Sequence, residues 1–283
     1  MILIADSGST KTDWTIVSKN QINGKATTMG FNPFFHSSSD IVLGIGDSFI
    51  LAQLELEISR IYYLGAGCST TQNKNIVEKA LKEAFPNAKI SVEHDLLGAA
   101  YATYQGTPAI TGILGTGSNA CYFDGKNVFE KTPSLGFIMG DEGGGGYFGK
   151  KLVTAHCYGW LPKEISADFE KTFDITIPEL IRRVNSEPHA NVFLAGFMPF
   201  ISKYKEHPYL HKMLVEGMTE YFENHILPFE ESKNVEIHFV GSVAHHFSGS
   251  IYEAAKKLDL KIGQIVQKPA ENLVRYFLDY VIK

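Results

Sequence analysis

Three carboxylates stand where the surrounding sequence gives them chemistry to do. Asp6 ends the apolar run I-L-I-A-D and opens the turn S-G-S-T that leads into Lys11, Thr12 and Asp13. Asp95 closes V-E-H-D at the head of a small-residue helical stretch, and Asp141 lies in G-D-E-G-G-G-G, the most glycine-dense part of the chain. An ionised carboxylate accepts several hydrogen bonds, so each could take a proton from a hydroxyl, hold a hydroxyl-rich ligand, or bind Mg²⁺ largely through water. The turn after Asp6 has the composition a phosphate wants. Gly8 frees backbone N–H groups, Ser7, Ser9 and Thr10 add hydroxyls, and Lys11 adds positive charge. It is not a Walker A loop, because Thr10 precedes Lys11 and a strand, not a helix, follows. A plain β-hairpin is the competing reading.

The same design recurs at Leu114-Gly-Thr-Gly-Ser-Asn-Ala120, where an apolar strand again runs into a small-residue turn and returns as an apolar strand. Two such units, each in its own α/β half, predict an internally duplicated architecture that grips a polyphosphate from two sides. Other residues carry a structural alternative beside the functional one. Asp95 sits where a helix N-cap belongs, yet also where open α/β sheets place ligands, at the carboxyl end of a strand. Asn32, rigidified by Pro33, could fix the edge of a small polar ligand or start an Asx turn. The glycines of 136–149 predict a loop built for close approach to a ligand. Adjacent His245 and His246 point apart on a helix, so a shared metal ion is not expected.

The elements that must position these residues follow from periodicity. Strands are predicted around 2–6 and 14–17, after a turn at 21–24, and around 60–64, 90–93, 111–114, 119–123, 236–240 and 261–266. Helices are predicted near 40–58, over 73–85, 96–102 and 150–158, through much of 164–232, and over 250–258 and 270–283. With 283 residues, 44% of them hydrophobic, the chain can bury two cores, and a two-domain protein with a cleft is expected. The formal net charge of −5 offers no basic face to nucleic acid. Cys68, Cys121 and Cys157 match no zinc spacing and suit reduced thiols in the cytoplasm. No apolar run approaches the roughly 20 residues of a membrane helix, so neither membrane nor nucleic acid is an expected partner.

Taken in order, D-S-G-S-T-K-T-D, V-E-H-D, L-G-T-G-S-N-A, G-D-E-G-G-G-G and F-V-G-S-V-A resemble the N-acetylglucosamine kinase branch of the BadF/BadG/BcrA/BcrD ATPase family, within the actin, hexokinase and Hsp70 superfamily. The resemblance implies an α/β fold of two ribonuclease-H-like domains flanking a nucleotide and sugar cleft. Residues 1–106 would form the first domain and 107–283 the second, with the last helix able to pack back on the first. It implies ATP and Mg²⁺ as cofactors. Asp6, Gly8, Ser9, Thr10, Lys11 and Thr12 would form the first phosphate motif, with Asp6 near the metal. Gly115, Thr116 and Gly117 would form the second, and Ala195, Gly241 and Ser242 would lie at the nucleoside. Asn32, Ser118, Asn119, Gly136 and Asp141 would bind the sugar, and Asp95 would act on the acceptor hydroxyl. The implied reaction is phosphorylation of an amino sugar, N-acetylglucosamine first, at its 6-hydroxyl, with domain closure excluding water. The partner is a small-molecule sugar, and a homodimer is left open. The alternatives are an ATPase without a sugar acceptor and a non-catalytic sugar or nucleotide sensor. An ATPase that activates a radical enzyme would need closely placed cysteines for an iron–sulfur cluster, and this chain has no such pair.

Overall fold

A computed structural model describes residues 1–8 and 10–282. The chain divides into two compact units, Met1–Tyr104 with Pro269–Lys283, and Gln105–Lys268. Each is built on one five-stranded mixed sheet.

In the first unit β1 (Ile2–Ser7), β2 (Lys11–Ser18) and β3 (Gln21–Met29) form an antiparallel meander, and β4 (Arg60–Gly65) and β5 (Lys89–His94) add in parallel, in the order β3-β2-β1-β4-β5. Alternation along β1 sends Leu3 and Ala5 to one face and Ile4 to the other. On the first face they join Trp14, Ile61, Tyr63 and the apolar sides of helices Ser38–Gly46 and Thr71–Ala84. On the second, Ile4, Val17, Leu64 and Ala102 pack with Leu273, Val274 and Phe277 of the closing helix Ala270–Tyr276 and the π-turn after it. That helix therefore belongs to the first unit, and residues 269–283 are grouped there rather than with 107–268. The long helix expected near 40–58 is two pieces, Ser38–Gly46 and Phe49–Ala52, because Asp47 and Ser48 interrupt it.

The second unit repeats the plan. Strands β6 (Ala109–Leu114), β7 (Ser118–Phe123) and β8 (Val128–Phe129) are antiparallel, and β9 (Glu236–Val240) and β10 (Ile262–Val266) add in parallel, in the order β10-β9-β6-β7-β8. The core is one large cluster in which Phe148, Leu152, Leu194, Leu214, Met218, Tyr221 and Phe239 are almost fully buried. Substituting β6 for β1, the two sheets have the same strand order and the same pattern of parallel and antiparallel pairs. The duplication expected from the two turns is a property of the whole sheet.

One expectation needs correcting. The glycines after Asp141 are not a loop throughout: Gly145, Gly146 and Gly149 lie inside the helix Gly145–Cys157. A Cβ on Gly149 would stand 1.9 Å from the Leu194 carbonyl oxygen, and one on Gly145 would stand 3.1 Å from the Ala195 Cβ. The glycines serve close approach, but to backbone and small side chains of this chain. The helix Ala190–Ala195 can then lie directly on Gly145–Cys157.

Candidate active site

In the first unit the candidate residues collect at the carboxyl ends of β1, β4 and β5, where an open α/β sheet presents ligands. The hairpin β1–β2 is closed by the Gly8 N–H donating to the Lys11 carbonyl at 2.9 Å. Ser9 lies outside the described residues. Thr10 has an exposed side chain, while its carbonyl accepts from the Gly30 N–H at 3.0 Å. Lys11 is exposed and pairs with Asp13. Thr12, expected among the phosphate residues, has its side chain committed elsewhere. It is fully buried, its hydroxyl bonds the Ser7 hydroxyl at 2.7 Å, and it donates to the Met29 carbonyl at 3.1 Å. Its hydroxyl ties three strands together, and its backbone is paired within the sheet, opposite Ser7 on β1 and Thr28 on β3.

Asp6 is half-buried at the tip of β1, and its carboxyl is pushed up to about 7. Burial is the main cause, the negative charges of Asp13 and Asp95 add to it, and Lys11 opposes them. Three carboxylates with one lysine between them form a site short of positive charge. Among the described residues no three His, Cys, Asp or Glu side chains form a metal cage. That donor set fits Mg²⁺, which takes one or two carboxylates and keeps its remaining positions for water and phosphate oxygens.

Asp95 is the first residue of the helix Asp95–Thr103, and it is not the cap. His94 is the N-cap, its Nδ1 accepting from the Leu96 N–H at 3.2 Å. The structural job that competed for Asp95 is thus done by its neighbour, whose Nδ1 also lies 3.1 Å from Asp95 Oδ1. The side chain of Asp95 keeps 29% of its surface exposed. Asn32 does make the Asx turn: its Oδ1 accepts from the Phe34 N–H at 3.0 Å. Gly67, at φ +78°, is needed beside it, because a Cβ there would fall 2.4 Å from that same oxygen. The Asn32 amide is thereby oriented by its oxygen, and its NH₂ is the end left to donate.

In the second unit the turn after β6 is closed by the Gly115 N–H on the Gly117 carbonyl at 3.0 Å. The carbonyls of Gly115 and Thr116 each accept at 2.8 Å, from Gly145 and Gly146, so the turn itself caps the glycine-rich helix. Gly241 adopts φ +124°, and a Cβ on it would stand 2.3 Å from the Leu114 carbonyl oxygen. Gly115–Gly117, Ala195, Gly241 and Ser242 are therefore gathered at the ends of β6 and β9. Beside them the Ser118 N–H reaches Asp141 Oδ1 at 3.4 Å, and a Cβ on Gly117 would stand 2.7 Å from Asp141 Oδ2. The Ser118 hydroxyl is buried and has no hydrogen-bond partner among the described residues. A buried hydroxyl without a partner costs about 1–3 kcal/mol, so it marks a place for a polar ligand atom. Burial raises the Asp141 carboxyl, with the Ser118 N–H and His225 opposing. Asn119 directs its Oδ1 to the Ala120 N–H at 2.8 Å. Gly136, at φ +68°, opens the short helix Gly136–Met139 with nothing near its Cα side, so turn geometry accounts for it. His225 and Tyr221 back this site and were not expected from the sequence. Their link to it joins residues 83 and 102 positions apart, which no local pattern signals.

No family model and no curated protein sequence matches the chain. Solved structures do. With a TM-score of 0.94 and 33% identity over 100% of both chains, it is similar to a Porphyromonas gingivalis protein provisionally described as an N-acetylglucosamine kinase. A protein of Chromobacterium violaceum with the same provisional description has a TM-score of 0.74 at 12% identity, covering 97% of this chain and 98% of its own. A ROK family glucokinase from Streptomyces griseus, solved with glucose and AMPPNP, gives 0.57 at 14% identity over 97% of each chain. The two sheets and their carboxyl-end turns define the two-domain, actin-like fold of ATP-dependent sugar kinases. The chain belongs to the sugar kinase family of the P. gingivalis protein, which it matches from end to end.

Proposed function

We propose that this kinase transfers the γ-phosphoryl group of ATP to the 6-hydroxyl of an amino sugar, with N-acetylglucosamine as the first acceptor to test, and that it falls in the BadF/BadG branch. The observation that carries the reading is Asp95, a partly exposed carboxylate at the end of β5, freed from capping by His94 and close enough to Asp6 to raise its carboxyl. Phosphoryl transfer asks a protein for positioning and charge neutralisation more than for covalent help. In the first unit Gly8, Thr10 and Lys11 would bind phosphate oxygens, with Thr12 holding the strands behind them, and Asp6 would hold Mg²⁺, which when bound neutralises phosphate charge. Asn32 would donate to the sugar. In the second unit Gly115, Thr116 and Gly117 would bind phosphate, and Ala195, Gly241 and Ser242 would take the nucleoside. The Ser118 hydroxyl, Asn119, Gly136 and Asp141 would bind sugar oxygens or the N-acetyl group.

Asp95 accepts the proton of the acceptor hydroxyl as its oxygen bonds to the γ-phosphorus and the bond to the ADP oxygen breaks. Among the described residues no helix is long and apolar enough to cross a membrane, and the three cysteines are free thiols, which supports a cytoplasmic setting for the reaction. The test is ADP release across amino sugars, N-acetyl amino sugars and plain hexoses. Release should require a sugar and be fastest with N-acetylglucosamine. Sugar-independent release would point to an ATPase, and sugar binding without release to a sensor. Asp95→Ala should fold as the native chain does and lose about 10³-fold or more in kcat. Retained turnover in that variant removes Asp95 from the reaction.

A further inference from the structure

The loop that presents Asp141 is held in a conformation it would not choose. Asp141 has φ +58°, a left-handed backbone that costs a non-glycine residue about 1 kcal/mol or more. Its own hydrogen bonds to the turn are few: the Gly144 N–H donates to its carbonyl at 2.9 Å, and the Ser118 N–H reaches its carboxylate at 3.4 Å. The next residue is fastened far more firmly. Glu142 Oε2 lies 3.1 Å from His225 Nε2, and its Oε1 accepts from Asn224 Nδ2 at 3.1 Å. The other ring nitrogen of His225 lies 3.3 Å from the Thr132 hydroxyl, and the ring stacks on Tyr221 with centroids 5.2 Å apart. His225 is only 5% exposed.

Asn224 and His225 both reach Glu142 from one place because the helix Pro208–Tyr221 widens there. The next residues, Phe222–Ile226, form a π-turn closed by the Leu227 N–H on the Phe222 carbonyl at 2.8 Å. Such single wide turns recur at functional sites. From the last α-helical residue before it, the Tyr221 hydroxyl donates to the Asn119 carbonyl at 3.0 Å. Gly143, at φ +74°, lies so close to Tyr221 that a Cβ there would stand 3.1 Å from the tyrosine Cβ. One helix end thus fastens both segments on which the sugar reading rests, the strand start at Asn119 and the turn at Asp141.

We propose that Tyr221, His225 and Glu142 form a positioning brace that sets the sugar affinity of the site by fixing Asn119 and Asp141, without touching the sugar. This rests on the sugar-side reading of those two residues. The brace predicts a split between sugar affinity and the other kinetic constants. Tyr221→Phe and Glu142→Gln, both close to isosteric, should weaken N-acetylglucosamine binding roughly three- to tenfold, a hydrogen bond's worth. Binding is read as the calorimetric Kd of the full chain without nucleotide, and as KM. KM for ATP should stay within about twofold and kcat should fall far less than sugar affinity. His225→Leu should do the same or more, and His225→Gln, which keeps a donor towards Glu142, should recover part of the loss. If His225→Leu does not fold, the other variants still decide.

Asn119→Ala and Asp141→Ala test the underlying reading separately. If they weaken sugar binding while Tyr221→Phe and Glu142→Gln leave it unchanged, the brace is overturned and the sugar assignment stands. If none of the four changes it, or the native chain does not bind N-acetylglucosamine, both fall together. A drop confined to kcat in the brace variants also overturns the proposal.

Discussion

Asp6 carries a cost that the folded chain bears at neutral pH. Its carboxyl is raised from 3.8 to about 7, so the folded state holds the proton more tightly than the unfolded one. The stabilisation this linkage gives is complete below about 3.8 and is lost as pH rises through about 7. Without Mg²⁺ and ATP, Asp6→Asn should therefore melt higher than the native chain at pH 8, by roughly 3–6 °C for about 2 kcal/mol relieved. The gain should shrink steadily as pH falls below about 7 and vanish only below about 3.8. The same variant should lose kinase activity. A melting temperature that does not respond to the substitution at pH 8 would show the carboxylate to be better compensated than its surroundings imply. At this scale the sequence was legible where a residue's partners are local: Asp6, Gly8 and Gly117 follow from the two turns. It was not legible where a side chain turns inwards. Thr12 looks like a phosphate ligand in the motif, yet its hydroxyl closes a bond to Ser7 within the core.

Strand, turn and strand were readable because alternation and small-residue turns leave a period-two trace, and both sheets begin with that unit. The glycine-rich segment was read as a loop because glycine is unfavourable in a helix by about 1 kcal/mol relative to alanine. What wins is packing: the helix Gly145–Cys157 needs bare Cα atoms to let Leu194 and Ala195 approach. Gly149→Ala would drive a methyl group into the Leu194 carbonyl, and it should destabilise the second unit by about 2–4 kcal/mol in urea unfolding despite alanine's better helix propensity. A neutral or stabilising effect would mean that the two helices can slide apart without loss. The π-turn at Phe222–Ile226 left no periodic trace, since one added residue per turn is invisible against an apolar helix.

Across the whole chain, the α/β class and the duplicated plan were visible, and the course of the last residues was the least determined part. Phe277, 3% exposed, lies against Tyr62 with ring centroids 4.5 Å apart, and Tyr276 stacks on Tyr101 at 4.0 Å. Phe277→Ala should cost about 3–5 kcal/mol of the first unit's stability. Fluorescence follows this well, because Trp14 is buried in that unit and Trp160, in the other, is 61% exposed. The transition reported by Trp14 should move to lower denaturant, and an unchanged midpoint would mean that the closing helix is an accessory to the fold. The closing helix also sets an order of events on the ribosome. The segment 105–268 is continuous and can complete its core as soon as it emerges. The first unit, although its sheet is made before that, has its Ile4, Val17 and Leu64 face covered only in part, by the helix Asp95–Thr103, until residues 270–282 are translated. Of the two units, the one met first in the sequence is thus the later to be finished, and a chain stalled before residue 270 would leave part of an apolar sheet face exposed, of the kind that chaperones bind.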